Sequence, residues 1–247
     1  MSNQNHIVIT SALRTAIGSF GGSLASKTAP QLGSEVIKGC IKHSHLKTND
    51  VDTVYMGQVL TTGVGQNPAR QAALYAGISK DKTATTINQV CGSGLASIAL
   101  AFNSIKCGDG NIMIAGGQES MSNAPHFINL RNGFKIGPGT LSDSMIIDGL
   151  WDIYNNYHMG TTAENVAEKY QITREDQDSF ALSSQKKASD AITANKFVDE
   201  IVPVKVKIKK QEVTFNKDEY PKPDTTIEKL SNLSLIHISE PTRPNEI

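Results

Sequence analysis

The feature that most constrains this chain is an alternation, between Val51 and Ala115, of short β-branched runs with stretches of helical apolar spacing, joined by brief connections. Val51 to Leu60, with Val54, Tyr55, Met56 and Val59, reads as a strand. Asn67-Pro68 then supplies an N-cap and a first-turn proline for a helix through Ala76, which Gly77 closes. Ala84 to Val90 reads as the next strand. Leu95, Ile98, Ala99, Phe102 and Ile105 mark the helix after it, ending at Gly108, and Asn111 to Ala115 is a further strand. Parallel neighbours need crossover connections, so this rhythm implies an α/β fold with a mostly parallel sheet covered by helices. Upstream, His6 to Thr10 predicts one more strand. Leu32, Val36, Ile37, Cys40 and Ile41 predict a helix from Pro30 with one buried face.

The character changes after Gly116-Gly117. Residues 118 to 158 mix Asn, Gly, Pro and Met with little periodicity, more chain than a simple connection needs, which points to a functional excursion. Thr161-Thr162-Ala163-Glu164 has the form of a capping box opening a helix to about Tyr170, and Thr173 with Asp176 opens another that continues near Phe197. Val204 to Lys209 alternates strictly, and Val213-Thr214-Phe215 resumes after a polar break, predicting a two-stranded antiparallel ribbon. The expected organisation is an αβ domain over 1–117 and a second unit over 118–233.

Composition narrows the function classes. Twenty-four Lys and Arg balance twenty-four Asp and Glu among 247 residues, so no bulk field favours nucleic acid or an anionic membrane. No uninterrupted apolar run reaches the roughly eighteen residues of a membrane span, and the first residues lack a basic stretch leading into an apolar one. Three cysteines, Cys40, Cys91 and Cys107, show no zinc-type pairing and argue for a reducing compartment, with the cytoplasm as the expected location.

Asn88-Gln89-Val90-Cys91-Gly92-Ser93-Gly94-Leu95 stands where a predicted strand turns into a predicted helix. A thiol at a helix N-terminus faces free backbone N–H groups and the positive end of the helix dipole, both of which favour thiolate. Gly92 and Gly94 clear side chains from the turn, so that a ligand can approach the sulfur and the amides can address a developing oxyanion. The residues alone leave two readings of Cys91 open, a nucleophile and a small buried core residue. Cys40, on an apolar helical stripe, and Cys107, at a helix C-terminus where the dipole disfavours thiolate, read as structural.

Beyond this turn the sequence resembles the thiolases, of the biosynthetic acetyl-CoA acetyltransferase type, in an ordered series of segments. These are Ser11-Ala12-Leu13-Arg14-Thr15, Gly18 to Gly22, Met56-Gly57-Gln58-Val59-Leu60, Gly65 to Ala72, the Cys91 segment, Ala115 to Ser122, Asp148 to Asp152, and Tyr157 to Asn165. The resemblance runs collinearly from about His6 to Leu233. It implies a thiolase-like fold whose first αβα half carries an inserted loop domain, here 118–233, on the coenzyme A side.

The resemblance also implies chemistry. Cys91 matches the cysteine that attacks an acyl-CoA thioester, forming an acyl-enzyme and releasing CoA. A second cysteine then takes an α-proton from acetyl-CoA, and the enolate condenses with the acyl-enzyme to give acetoacetyl-CoA, reversibly. A thiolate suits this cycle because it is both nucleophile and leaving group. Leu150, His158 and Met159 match positions lining the pantetheine channel; by residue type alone His158 and Met159 read as surface or packing residues. Ser93 and Gln66 help shape the site without an assigned catalytic role. The implied partners are acetyl-CoA and acetoacetyl-CoA, with a dimer or tetramer of identical chains, and without nucleic acid, membrane, metal or electron-carrying cofactor.

From Ser234 the sequence departs from the family pattern. A thiolase continues with Arg-Pro and later Gly-Asn-Ala-Ser, whereas residues 234–247 resemble a translated adapter, expected to be disordered, with no role for His237. The Asn-Glu-Ala-Phe asparagine, the Gly-His-Pro histidine and the Cys-x-Gly-Gly-Gly-x-Gly cysteine do not occur among the 247 residues. The second αβ half is expected to be absent with them, and the chain alone is expected to be inactive in condensation, because catalytic groups act as a unit. Alternatives are a degradative 3-ketoacyl-CoA thiolase sharing the Cys91 chemistry, and a non-catalytic module pairing through the strand around residues 84–90. A β-ketoacyl synthase has similar nucleophile logic, but Gly65 to Arg70 and Tyr157 to Gly160 weigh against it.

Overall fold

A computed structural model describes residues 6–131, 133, 136–209 and 211–233. The expected tail at 234–247 lies outside them. Chain contacts gather into two compact units, Met1–Gly149 with Glu200–Lys217, and Leu150–Asp199 with Asp218–Ile247. By these contacts the segments 118–149 and 200–217 group with the first αβ segment.

In the first unit, a two-residue strand β1 (Arg14–Thr15) precedes α1 (Ala29–His43). That helix starts where the sequence spacing places it, because Thr28 and Gln31 cap it reciprocally: Thr28 Oγ1 accepts from Gln31 N at 3.4 Å and Gln31 Oε1 accepts from Thr28 N at 3.0 Å. β2 (Thr53–Gly57), α2 (Pro68–Tyr75), β3 (Thr83–Ile87), α3 (Ser93–Cys107) and β4 (Met113–Gly117) follow in the expected order. β2 is central and pairs in parallel with both β3 and β4, as the crossover argument requires.

Successive residues of β2 point to opposite faces. Val54 and Met56 join Ile37 and Ile41 of α1 and Ala69, Ala72 and Ala73 of α2 in one buried cluster. Tyr55 faces the other way, where its hydroxyl lies 2.8 Å from Ser104 Oγ of α3. The sheet is thus layered between α1 and α2 on one side and α3 on the other. Short strands β5 (His126–Phe127) and β6 (Ser142–Asp143) pair antiparallel in the excursion.

The second unit begins with a hairpin of β7 (Trp151–Asp152) and β8 (Tyr157–His158), followed by α4 (Met159–Tyr170), α5 (Arg174–Thr193) and a short α6 (Ile227–Ser231). Thr173 and Asp176 form the expected capping box of α5. Arg174 donates to the carbonyls of Leu230 at 2.6 Å and Leu233 at 2.7 Å, a cation at the C-terminal end of α6, where the helix dipole favours it.

The chain returns to the first unit through β9 (Ile201–Val202), which pairs in parallel with β1, and the ribbon of β10 (Val204–Ile208) and β11 (Gln211–Phe215). Val204, Val206 and Phe215 close a second core with Ala16, Leu24 and Leu32. That burial explains why this segment packs with the first unit.

Four expectations about elements are corrected. His6 to Thr10 forms no strand among the described residues; Ile7 is half-buried, but Val8 at 70% and Ile9 at 78% exposure lie open, and without a partner strand β-branched composition does not make a strand. The third predicted strand stops at Ile87, because the chain turns sharply at Asn88 to Val90. α4 starts at Met159, two residues before Thr161, so Thr161 and Glu164 lie inside the helix and His158 caps it instead. α5 ends at Thr193, where Asn195 adopts a positive φ of 56°, short of Phe197.

Candidate active site

The turn between β3 and α3 places Cys91 at the surface, one residue before the helix N-cap Gly92. No side chain caps α3; Gly92 N and Ser93 N donate to the carbonyls of Gln89 at 3.0 Å and Val90 at 3.1 Å, so the donor capacity left in the first turn lies at Gly94 and Leu95. The core reading of Cys91 does not fit an exposed thiol. Cys40 is half-buried on α1, and Cys107 is exposed at the last residue of α3.

The turn itself is tightly held. Val90 has a φ of 48°, a left-handed conformation that a β-branched residue tolerates poorly. Its N–H donates to Asn88 Oδ1 at 3.0 Å. Ser93, buried beneath, accepts from Gln89 N at 2.8 Å and donates to the Val90 carbonyl at 2.5 Å. The first turn of α3 sits directly on the end of β2: a Cβ added at Gly57 would lie 2.5 Å from the Ser93 carbonyl carbon. Gly57 therefore has to be glycine for close approach.

The other three sequence-derived residues, Leu150, His158 and Met159, belong to the second unit. Leu150 ends a single wide helical turn over Ile146–Leu150. The hairpin register sets Trp151 opposite His158, which leaves Leu150 and Met159 flanking the same end of the ladder. His158 Nδ1 accepts from Gly160 N at 2.9 Å, so the other ring nitrogen carries the proton. That Nε2 is buried and has no hydrogen-bond partner among the described residues. A buried donor without an acceptor is unfavourable unless something else supplies one. Asp152 holds the hairpin tip, accepting from Tyr154 N at 2.9 Å and Asn155 N at 3.0 Å, and its carboxyl is held below the usual range, first by the Asn155 side chain.

The sequence reading gave no individual role to Glu119 and only a cap role to Asn67. Glu119, at the exit of β4, accepts from Val59 N at 2.8 Å and Leu60 N at 3.3 Å, fixing the chain as it leaves β2. Burial pushes its carboxyl above the ordinary value, against the backbone donors of Val59, Leu60 and Ser120. Asn67 caps α2 through Arg70 N at 3.2 Å, but it also accepts from Thr86 Oγ1 at 2.8 Å and donates to the Ala84 carbonyl at 2.9 Å, tying α2 to β3. Its cap role is legible in Asn67-Pro68; the cross-strand role is not, because it depends on long-range pairing.

A cavity of about 360 Å³ is lined by residues including Thr28, Gln58, Gln71 and Ser120, and Cys91 is not among its walls. Gln58 and Gln71 already donate to the carbonyls of Leu60, at 2.9 Å, and Val64, at 3.1 Å. Among the described residues, no group of three or more His, Cys, Asp or Glu side chains is placed to hold a metal ion.

Residues 7–242 match the family model described as "Thiolase, N-terminal domain". The chain belongs to the thiolase family. The match passes Leu233, where the resemblance in the sequence stops. Similar proteins include the acetyl-CoA acetyltransferases of Cupriavidus necator, 54% identical over 92% of this chain and 58% of the relative, and of Pseudomonas aeruginosa, 52% identical with the same two coverages. The crystal structure of the Bacillus anthracis acetyl-CoA acetyltransferase superposes with a TM-score of 0.88 at 39% identity, covering 92% of this chain and 57% of that one. The α/β fold is thus thiolase-like, as the motif series implied. The chain spans a little under three fifths of the length of these thiolases, 58% and 57%.

Proposed function

We propose that Cys91 is the acyl-accepting nucleophile of an acyl-CoA C-acyltransferase. Its thiolate attacks the carbonyl carbon of an acetyl-CoA thioester; a new C–S bond forms to Cys91, the bond to the CoA sulfur breaks, and the released thiolate takes up a proton to leave as CoA. Backbone amides at the start of α3 stabilise the oxyanion during attack. In the full cycle the acetyl group passes to a second acetyl-CoA, giving acetoacetyl-CoA, and thiolysis runs the same steps in reverse. Condensation needs an acid/base partner that these 247 residues do not supply from the family's motifs, so acylation is the step proposed for this chain.

Leu150, His158 and Met159 are proposed to contact the pantetheine arm, with 118–233 as the loop domain that receives it. The buried Nε2–H of His158, which has no acceptor among the described residues, supports a carbonyl-bearing ligand at that end of the hairpin. Acetyl-CoA, acetoacetyl-CoA, assembly with further copies of the chain and a cytoplasmic location follow as parts of the same proposal.

One observation carries this reading: an exposed thiol immediately ahead of a helix N-terminus without a side-chain cap. Incubation with acetyl-CoA followed by peptide mass spectrometry is expected to find one acetyl group on the Cys91 peptide and none there in Cys91→Ser. Acetylation spread equally over Cys40, Cys91 and Cys107, or absent from all three, would overturn it. Turnover of acetoacetyl-CoA plus CoA by the 247-residue chain at rates near those of full-length thiolases would instead refute the expected lack of condensation activity.

A further inference from the structure

We infer that Ser93 is a positioning residue, a brace that holds the strained turn at Val90 and so aims Cys91 at the helix N-terminus. The inference rests on Cys91 being the nucleophile, and it assigns a role to a side chain that touches no substrate. The turn has to bring the backbone from the end of β3 into α3 within a few residues, and it does so by placing Val90 at a φ of 48°. A β-branched side chain opposes that conformation, so the surroundings must hold it there.

Two side chains do so. On the solvent side, Asn88 Oδ1 accepts from Val90 N at 3.0 Å. From beneath, the Ser93 hydroxyl accepts from Gln89 N at 2.8 Å and donates to the Val90 carbonyl at 2.5 Å, so one oxygen bridges the Asn88–Gln89 and Val90–Cys91 peptide units. The two braces differ in what replaces them. Asn88 is exposed, and water can take its place at Val90 N. Ser93 is 4% exposed, and its β-carbon is packed against Gly57 so closely that a Cβ there would approach it to 2.6 Å. Removing the hydroxyl therefore takes the side-chain acceptor from Gln89 N and leaves the Val90 carbonyl with Ser93 N alone, at 3.1 Å, so the left-handed turn loses its side-chain support from beneath.

The thiol is the group that feels this. Cys91 lies between Val90 and the helix N-cap, so relaxation of Val90 to an extended conformation rotates the sulfur away from the first-turn amides. Ser97 provides an internal comparison. It is also buried on α3 and donates to the carbonyls of Gly94 at 2.6 Å and Gly116 at 2.9 Å, seating the helix on β4 without touching the turn.

The test measures iodoacetamide alkylation of Cys91 in the full 247-residue chain by peptide mass spectrometry, with Cys40 and Cys107 as references in the same sample. In the unsubstituted chain Cys91 is expected to react fastest. Ser93→Ala is expected to slow Cys91 by about two- to fivefold, the size of a helix-terminus effect, and to leave Cys107 unchanged. Ser97→Ala is expected to leave the Cys91 rate within about twofold, because it loosens helix seating and not the turn. Val90→Gly removes the opposition to a positive φ, so Ser93→Ala added to Val90→Gly is expected to cause no further slowing.

If Cys91 reacts fastest in the unsubstituted chain but Ser93→Ala leaves it unchanged, or if Ser97→Ala slows it equally, the positioning role fails and the nucleophile reading stands. An equal further loss in the Val90→Gly background would also overturn the role, and it keeps the test open if Ser93→Ala alone loses its circular dichroism signal. If Cys91 never outpaces Cys40 and Cys107, the nucleophile reading fails and this inference with it.

Discussion

α2 and α3 both follow strands of one sheet, yet they attach to it by different means. α2 presents Pro68, Ala69, Ala72 and Ala73 to the interior, small side chains that let it close with α1 over Val54 and Met56. α3 buries only Ser93, Ser97 and Ala101, while Leu95 is 75% exposed and Ile98, Leu100 and Phe102 also lie open. Its seating comes from polar contacts, Ser97 to the Gly116 carbonyl and Tyr55 to Ser104, and from the glycine at the end of β2. One face of the sheet holds the fold together by apolar burial; the other holds a helix whose first turn carries the candidate chemistry. The segment Val90–Cys107 has a mean hydropathy of 1.3, as apolar as a membrane span by composition, so the difference lies in which side chains meet the sheet and not in how apolar the helix is.

The largest expected effect tests that asymmetry directly. Ile37 is 1% exposed in the α1–α2 cluster, and Ile37→Ala is expected to lower stability in urea unfolding by about 3 kcal/mol, through lost transfer energy and the cavity left behind. Ile98, 43% exposed on α3, is expected to cost less than about 1 kcal/mol when changed to Ala. Equal losses would mean that α3 contributes to burial as α2 does, and the comparison would break.

A smaller effect is expected at the strand glycines on which α3 is seated. Gly57→Ala forces a Cβ to within 2.5 Å of the Ser93 backbone, and it is expected to destabilise by about 2 kcal/mol while slowing Cys91 alkylation. At Gly116 the nearest atom to an added Cβ is Met56 Sδ at 3.9 Å, ordinary contact, and Gly116→Ala is expected to change stability by less than about 0.5 kcal/mol. If the two glycines behave alike, close seating of the first turn of α3 is not what Gly57 provides.

The sequence made the layered core legible because burial on a sheet leaves a periodic trace: Leu32, Ile37 and Ile41 repeat at helical spacing, and Asn67-Pro68 announces its helix by local chemistry alone. The Cys91 turn was legible as a strand-to-helix elbow with glycines, but the Ser93 brace and the left-handed Val90 were not, since neither follows from residue type. His6 to Thr10 looked like a strand by composition and has no partner strand among the described residues. Thr161 to Glu164 had the form of a cap, but His158 two positions upstream of the helix's first glycine took that role through its ring nitrogen, an arrangement outside the usual N-cap preferences. Nor could spacing show that residues 200–217 return to the first unit, because the pairing of β9 with β1 joins positions 14 and 201.

The smallest expected effect separates the two ends of the sheet. At the entry of β2, Asp52 accepts from Asn111 N at 2.7 Å and Ile112 N at 3.2 Å, and these backbone donors, with Lys82 adding a lesser attraction, hold its carboxyl below the ordinary 3.8. A depressed folded value means that the unfolded chain binds the proton first, so the stabilisation is present above 3.8 and is lost as pH falls through the lower folded value. At the opposite end, burial raises Glu119 above its ordinary 4.5, so its contribution has the other sign: it favours the fold below 4.5 and is lost as pH rises through the raised value. Urea midpoints followed across this acid range are therefore expected to respond oppositely to the two neutral variants. Asp52→Asn should flatten the loss of stability at the acid end, and Glu119→Gln should flatten the loss on the rising side, each by less than about 1 kcal/mol since Asp52 is partly exposed and Glu119 keeps its backbone donors. A Glu119→Gln chain whose profile matches the unsubstituted one would mean that the carboxylate at the chemical end of the sheet is solvated, and that the backbone it holds at Val59 and Leu60 is not a fixed support beside the Cys91 turn.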